Sequence, residues 1–130
     1  MPMPVLYADA VWAQDAALKV KHMSLIRFQS RETADVLMFA QHATPFLEAW
    51  GKDAKGPGVL LPVDMPRAKA ATEQLVLAEE AKQAQQIADA KAQGQPVPSF
   101  ESIGLRQRSV PLLEMIRRCE GAEVEIVWGV

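Results

Sequence analysis

The stretch SLIRFQSRETADVLMFA, residues 24–40, decides the fold. From Ser24 to Ser30 it alternates, with Ile26 and Phe28 on one face and Arg27 and Gln29 on the other. That is the pattern of a half-buried strand, and Leu25 is its exception. The polar residues Ser30 to Thr33 read as a turn, and Asp35 to Ala40 then give a nearly continuous apolar run that suits a strand covered on both faces. Together they predict a hairpin. A helix through Val36, Phe39, Ala40, Ala43, Leu47 and Trp50 competes, but Pro45 would sit in its interior at a cost of about 3 kcal/mol. Starting the helix at Pro45 removes that cost, with Thr44 as N-cap and Gly51 placed to end the helix after Trp50.

Downstream, Gly51 to Gly58 reads as a loop and Val59 to Leu61 as a short extended stretch. Asp64 then stands where it would cap a long helix, about residues 65–92. Ala68, Ala71, Leu75 and Ala78 give the first half of that helix an apolar stripe. Beyond Glu80 the chain is mostly alanine, glutamine and lysine with Ile87 alone, so the second half should project into solvent. Gly94, Pro96 and Pro98 make residues 93–99 a linker. Ser102 to Arg108 is either a short strand or a first helical turn, followed by a helix through Leu112, Leu113 and Ile116. That helix should end near Arg117 and Arg118, with Gly121 as its stop. The last run alternates cleanly, Val124, Ile126 and Trp128 against Glu123 and Glu125. If it pairs with the first strand, Glu123 or Glu125 would lie opposite Arg27. The expected fold is α+β, a small mixed or antiparallel sheet of three to four short strands packed by three helices, one of them long.

A chain of 130 residues suits one domain, here residues 23–130. Residues 1–22 read as an appendage or upstream extension with a short helix from Tyr7 to Val20, and Met23 as a second possible start. At 49% hydrophobic and 23% charged residues the composition is that of a globular chain, and a net charge of −2 gives no overall pull toward nucleic acid or anionic lipid. Cys119 is the one cysteine, so neither an intrachain disulfide nor a multi-cysteine metal site can form. The apolar runs Val36 to Ala40 and Val59 to Pro62 fall far short of the roughly 18–20 residues of a membrane span. Asp9, Gln14 and Asp15 interrupt anything resembling a secretion signal. A cytoplasmic location is the expectation.

Gln41, Pro45, Leu47 and Glu48 recur sixty-six positions later as Gln107, Pro111, Leu113 and Glu114, with Phe46 and Trp50 answered by Leu112 and Ile116. Each set is followed by a glycine-containing turn and an extended apolar run. Two related strand-helix-strand units would explain this, and so would two amphipathic helices that each happen to begin near a proline. Met23 to Ser30, Asp35 to Phe39, GVLLPVDMP at residues 58–66, LRQR at 105–108 followed by PLLEMIRR, and the terminal IVWGV also carry a resemblance. Over nearly all of residues 23–130 the chain resembles the bacterial family called domain of unknown function 1840. The resemblance implies an architecture and a bacterial source, with a usual start at Met23, and it brings no catalytic residues.

The candidates for chemistry are few. Gly51 and Gly56 have the spacing that opens a phosphate loop, but Pro57 and Gly58 stand where lysine and serine or threonine are needed, so the segment reads as a connection. His42, with Asp35 or Glu48 near in sequence, has the chemistry of a general base or a weak metal ligand, and a structural or solvent-facing histidine is the preferred reading. Cys119 beside Arg117 and Arg118 is read as a small core residue rather than a nucleophile. Glu48 and Glu114 hold echoed positions and would pair as carboxylates if they faced each other, although each also suits the start of a helix dipole. Arg106, Arg108, Arg117 and Arg118 are the densest basic group, a phosphate or nucleic-acid contact if they share one surface. Of the tryptophans, Trp12, Trp50 and Trp128, the last is the expected partner contact at an open sheet edge.

The preferred function is a non-enzymatic binding or regulatory domain, self-associating or bound to a protein partner through a sheet edge or the long helix, with no cofactor, metal or membrane. The alternatives are a small-molecule or metal-dependent enzyme with His42, Glu48 and Glu114 in one cleft, and nucleic-acid binding through the four arginines.

Overall fold

In a computed structural model that describes residues 24–100 and 103–129, the hairpin forms as read. Strands β1 (Leu25–Phe28) and β2 (Val36–Phe39) pair antiparallel, with Ile26 opposite Met38 and Phe28 opposite Val36. The turn is tied by Ser30, whose Oγ accepts from the Thr33 backbone N–H at 3.0 Å. The expected appendage, with Trp12 and His22, lies outside the described residues.

Strand β2 is covered on one face, not two. Met38 is buried, while Leu37 and Phe39 are exposed, because the three described helices pack on the same side of the sheet. The first helix, α1 (Ala40–Ala49), does not wait for Pro45 and keeps it inside. The Ala40 N–H donates to Ser24 O at 2.6 Å, so the chain passes from strand to helix without a loop. Pro45 then deprives only the Gln41 carbonyl of its donor. Thr44 is not an N-cap; its hydroxyl donates to Ala40 O at 2.7 Å within the first turn.

Strand β3 (Gly58–Leu60) leads through a 3-10 turn, Pro62–Asp64, into α2 (Met65–Ala92). Asp64 makes no side-chain cap there. The 3-10 turn has already brought it into helical backbone, and its carboxylate accepts instead from Arg67 at 3.2 Å. Beyond Glu80 the helix is mostly exposed, as its composition implies. Helix α3 (Leu105–Ala122) also keeps its proline, Pro111, inside. It overruns the expected stop at Gly121, and the reversal falls on Glu123 at φ 58°, with the Val124 N–H closing onto Cys119 O at 3.0 Å.

Strand β4 (Ile126–Trp128) pairs antiparallel with β3 rather than along β1. It meets β1 only where Gln29 and Val127 exchange backbone hydrogen bonds of 2.8 and 2.9 Å. Arg27 accordingly faces Asp35, at 3.7 Å, rather than Glu123 or Glu125. The described residues thus form two antiparallel sheets of two strands each and three helices, one long, an α+β fold. The Gln29–Val127 bridge sets the spatial order β2, β1, β4, β3.

The core is an aromatic triangle. Phe28 on β1, Trp50 at the end of α1 and Trp128 on β4 stand with ring centroids 5.8–5.9 Å apart in tilted or edge-to-face pairs. The Trp50 indole N–H donates to Thr72 Oγ1 at 2.8 Å, and the Thr72 hydroxyl donates in turn to Ala68 O at 2.8 Å, pinning α1 to α2 inside the core. The echoed helices bury matching positions: Ala43, Phe46 and Trp50 on α1, Ser109, Leu112 and Ile116 on α3. The strands that follow them, β3 and β4, pair with each other.

Trp128 needs a residue without a side chain across the sheet. A Cβ at Gly58 would come within 2.4 Å of its ring, whereas a Cβ at Gly56 would meet nothing within 4 Å. Gly58→Ala should therefore lower stability by about 1–3 kcal/mol, as overpacking does, with Gly56→Ala as a near-neutral control in urea denaturation. Equal stabilities for the two variants would mean that the ring is not seated as described.

Candidate functional site

The register of the hairpin dictates what the outer sheet face carries. Odd-numbered residues of β1 and β2 point away from the helices, and this places Leu25 beside Phe39 and Arg27 beside Leu37. Val59 and Val127 continue the same face across β3 and β4. Leu25 is 59% exposed, Leu37 55%, Phe39 40% and Val59 37%. An apolar sheet face of this kind is normally covered by another layer, and among the described residues none covers it.

Where β1 and β4 diverge beyond the Gln29–Val127 bridge, a crevice of about 470 Å³ opens beside this face. Leu25, Arg27 and Leu37 line one side, and Lys55, Pro57 and Gly129 the other. Trp128 forms part of its wall. Trp128, the expected partner contact at an open edge, is 1% exposed and belongs to the core. Its indole N–H has no hydrogen-bond partner among the described residues.

His42 lies in the first turn of α1, not before it, and lines a second cleft of about 350 Å³ with Glu79, Gln83, Phe100 and Arg108. Gln41 Nε2 is 3.3 Å from His42 Nε2. The other ring nitrogen, Nδ1, is buried without a partner among the described residues. Glu48 is exposed near the far end of the same helix, and Glu114 is on α3, held by Arg117 through two bonds of 2.6 and 3.0 Å. Neither carboxylate lines the His42 cleft. Cys119 is fully buried.

The four arginines share one helix but not one face. Arg106 and Arg117 are eleven residues apart, about three turns, and fall on one stripe; Arg108 is about 200° round from Arg106. Arg106 grips Glu80 of α2 through bonds of 2.6 and 2.7 Å, and Arg117 grips Glu114 in the same two-pronged way. Both carboxyls are held below their ordinary range, chiefly by these hydrogen bonds. The sequence carried no mark of the Glu80–Arg106 pair, whose members are twenty-six residues apart.

A small α+β domain with a one-sided helical layer and an open apolar sheet face is the class these features define. Its family is shown directly: the model of the domain of unknown function DUF1840 matches residues 23–128, and the chain belongs to that family. No curated protein and no solved structure matches the chain. No helix among the described residues is long and apolar enough to cross a membrane.

The Glu80–Arg106 pair gives a pH signature whose sign follows from its depressed carboxyl. Above the ordinary value of 4.5 the contribution is fully present, and it is lost as the pH falls through the lower folded-state value. The pair is solvent-exposed, so the effect is small and sensitive to salt. Glu80→Gln should lower the melting temperature slightly near neutral pH, with the gap to the parent closing on acidification below 4.5. A gap that stays constant through that range would deny the pair any role in joining α2 to α3.

Proposed function

We propose that this is a non-enzymatic binding domain of the cytoplasm that offers its outer sheet face to another polypeptide chain, either a protein partner or a second copy. The observation that carries this reading is the exposure of Leu25, Leu37, Phe39 and Val59 together on one sheet face. Ordinary surfaces scatter such residues, whereas Leu25, Leu37 and Phe39 are grouped on one face of the β1–β2 pair, as interface residues are. The lone buried cysteine suits a reducing compartment.

The enzyme alternative is favoured by one feature, the Nδ1 of His42, buried without a partner among the described residues, in a cleft that also holds Glu79 and Arg108. It would use a different carboxylate from the two expected, since Glu48 and Glu114 lie elsewhere on the surface. Nucleic acid is not part of the proposal, because Arg106 and Arg117 are already neutralised by carboxylates.

Photocrosslinking tests the binding reading. A benzoylphenylalanine in place of Leu37, in the full chain inside its host, should yield one dominant adduct whose mass identifies either a second copy or a partner. The same residue in place of Leu77, which is exposed on α2, should not yield that adduct. Identical adduct patterns from the two positions would sink the reading.

A further inference from the structure

We propose that the crevice beside β1 binds an extended peptide by strand addition, with a carboxylate of that peptide set against Lys55 and Arg27. This rests on the binding reading above and names the chemistry of the partner.

The backbone of β1 makes the case. Ser24 O accepts from the Ala40 N–H, so Ser24, Ile26 and Phe28 direct their backbone groups at β2. By the alternation of an antiparallel ladder, Leu25, Arg27 and Gln29 direct theirs the opposite way. Gln29 spends both of its groups on Val127. The next position along that line belongs to Gly129, opposite Arg27, but the chain turns off there. Gly129 has φ 73° and lies so close to Pro57 that a Cβ on it would come within 2.7 Å of Pro57 Cα. The backbone N–H and C=O groups of Leu25 and Arg27 are therefore aimed into the crevice, with no strand beyond them among the described residues.

An unpaired stretch of strand at the inner edge of a sheet is a template for another strand. At about 3.3 Å per residue, the two exposed backbone pairs match three or four residues of extended chain. Side chains of such a peptide would alternate between the outer face, beside Leu25 and Leu37, and the inner wall at Ala54, Pro57 and Trp128. The charged side chains lining the crevice are both cationic, Arg27 and Lys55. Arg27 is shared with Asp35 only at 3.7 Å and stays 59% exposed, and Lys55 has no ion pair among the described residues. This charge selects an acidic side chain or a free terminal carboxylate on the peptide.

The test is selection from a library of random heptapeptides displayed with free carboxyl termini, followed by titration of the enriched peptide into the isotope-labelled full chain. Selected peptides should be β-prone and carry a carboxylate at or near the terminus, and they should protect the amide protons of Leu25 and Arg27 from exchange. Lys55→Glu should weaken binding about tenfold or more, and N-methylating the peptide amide that faces β1 should abolish it. Failure to enrich any peptide overturns strand addition, as does a peptide that binds without protecting those two amides. A peptide that shifts only Leu37, Phe39 and Val59 overturns strand addition while leaving the outer-face reading intact, and so does crosslinking at Leu37 without peptide enrichment.

Discussion

The contact between Phe28, Trp50 and Trp128 is the constraint on which the rest of the molecule depends. Its three rings come from β1, from the end of α1 and from β4, so it joins the two sheets, whose backbones meet only at the Gln29–Val127 bridge among the described residues. Each ring pair of this geometry contributes about 0.5–1.5 kcal/mol beyond the burial of its surface. The triangle also explains two features around it. Gly58 is bare because the Trp128 ring lies over it, and Thr72 on α2 is a buried hydroxyl because Trp50 needs an acceptor.

The same packing has a cost on the other side of the sheet. All three rings lie on the inner face, and Leu112, Met115 and Ile116 of α3 complete that core. With the three described helices drawn to one side, the alternation of β1 and β2 leaves Leu25, Leu37 and Phe39 facing outward. The turn at Gly129, needed to bring the chain past Pro57, parts β4 from β1 and opens the crevice. Among the described residues, the open face and the unpaired backbone are thus consequences of how the core is closed, and the proposed binding role would use both.

The fold was legible where periodicity was strong. Alternation located β1 and the inward face of β4, and the proline-glycine run located the linker after α2; the expected stripe of α2 is displaced, since the helix buries Met65, Ala68, Thr72 and Val76 and leaves Ala78 exposed. The misreadings share a cause: a local rule was overridden by a tertiary contact. Pro45 and Pro111 sit inside helices because each removes one hydrogen bond, while residues on either side of it are held in the core. The uninterrupted apolar run of β2 suggested burial on both faces, and period alone cannot tell a buried face from one awaiting a partner. The candidate site was less legible. His42 was singled out, but its neighbours Glu79, Gln83 and Arg108 come from distant parts of the chain and carry no motif. The crevice depends on which strands pair, and the expected pairing of the last strand with the first would have closed it.

The most direct test of the central claim is a double-mutant cycle between Phe28→Leu and Trp128→Leu, read by urea denaturation. The cycle isolates the ring-to-ring term from the loss of each side chain. A coupling of about 0.5–1.5 kcal/mol between the two positions is expected. Additive losses would contradict the account, because the two sheets would then be held together by something other than the aromatic triangle.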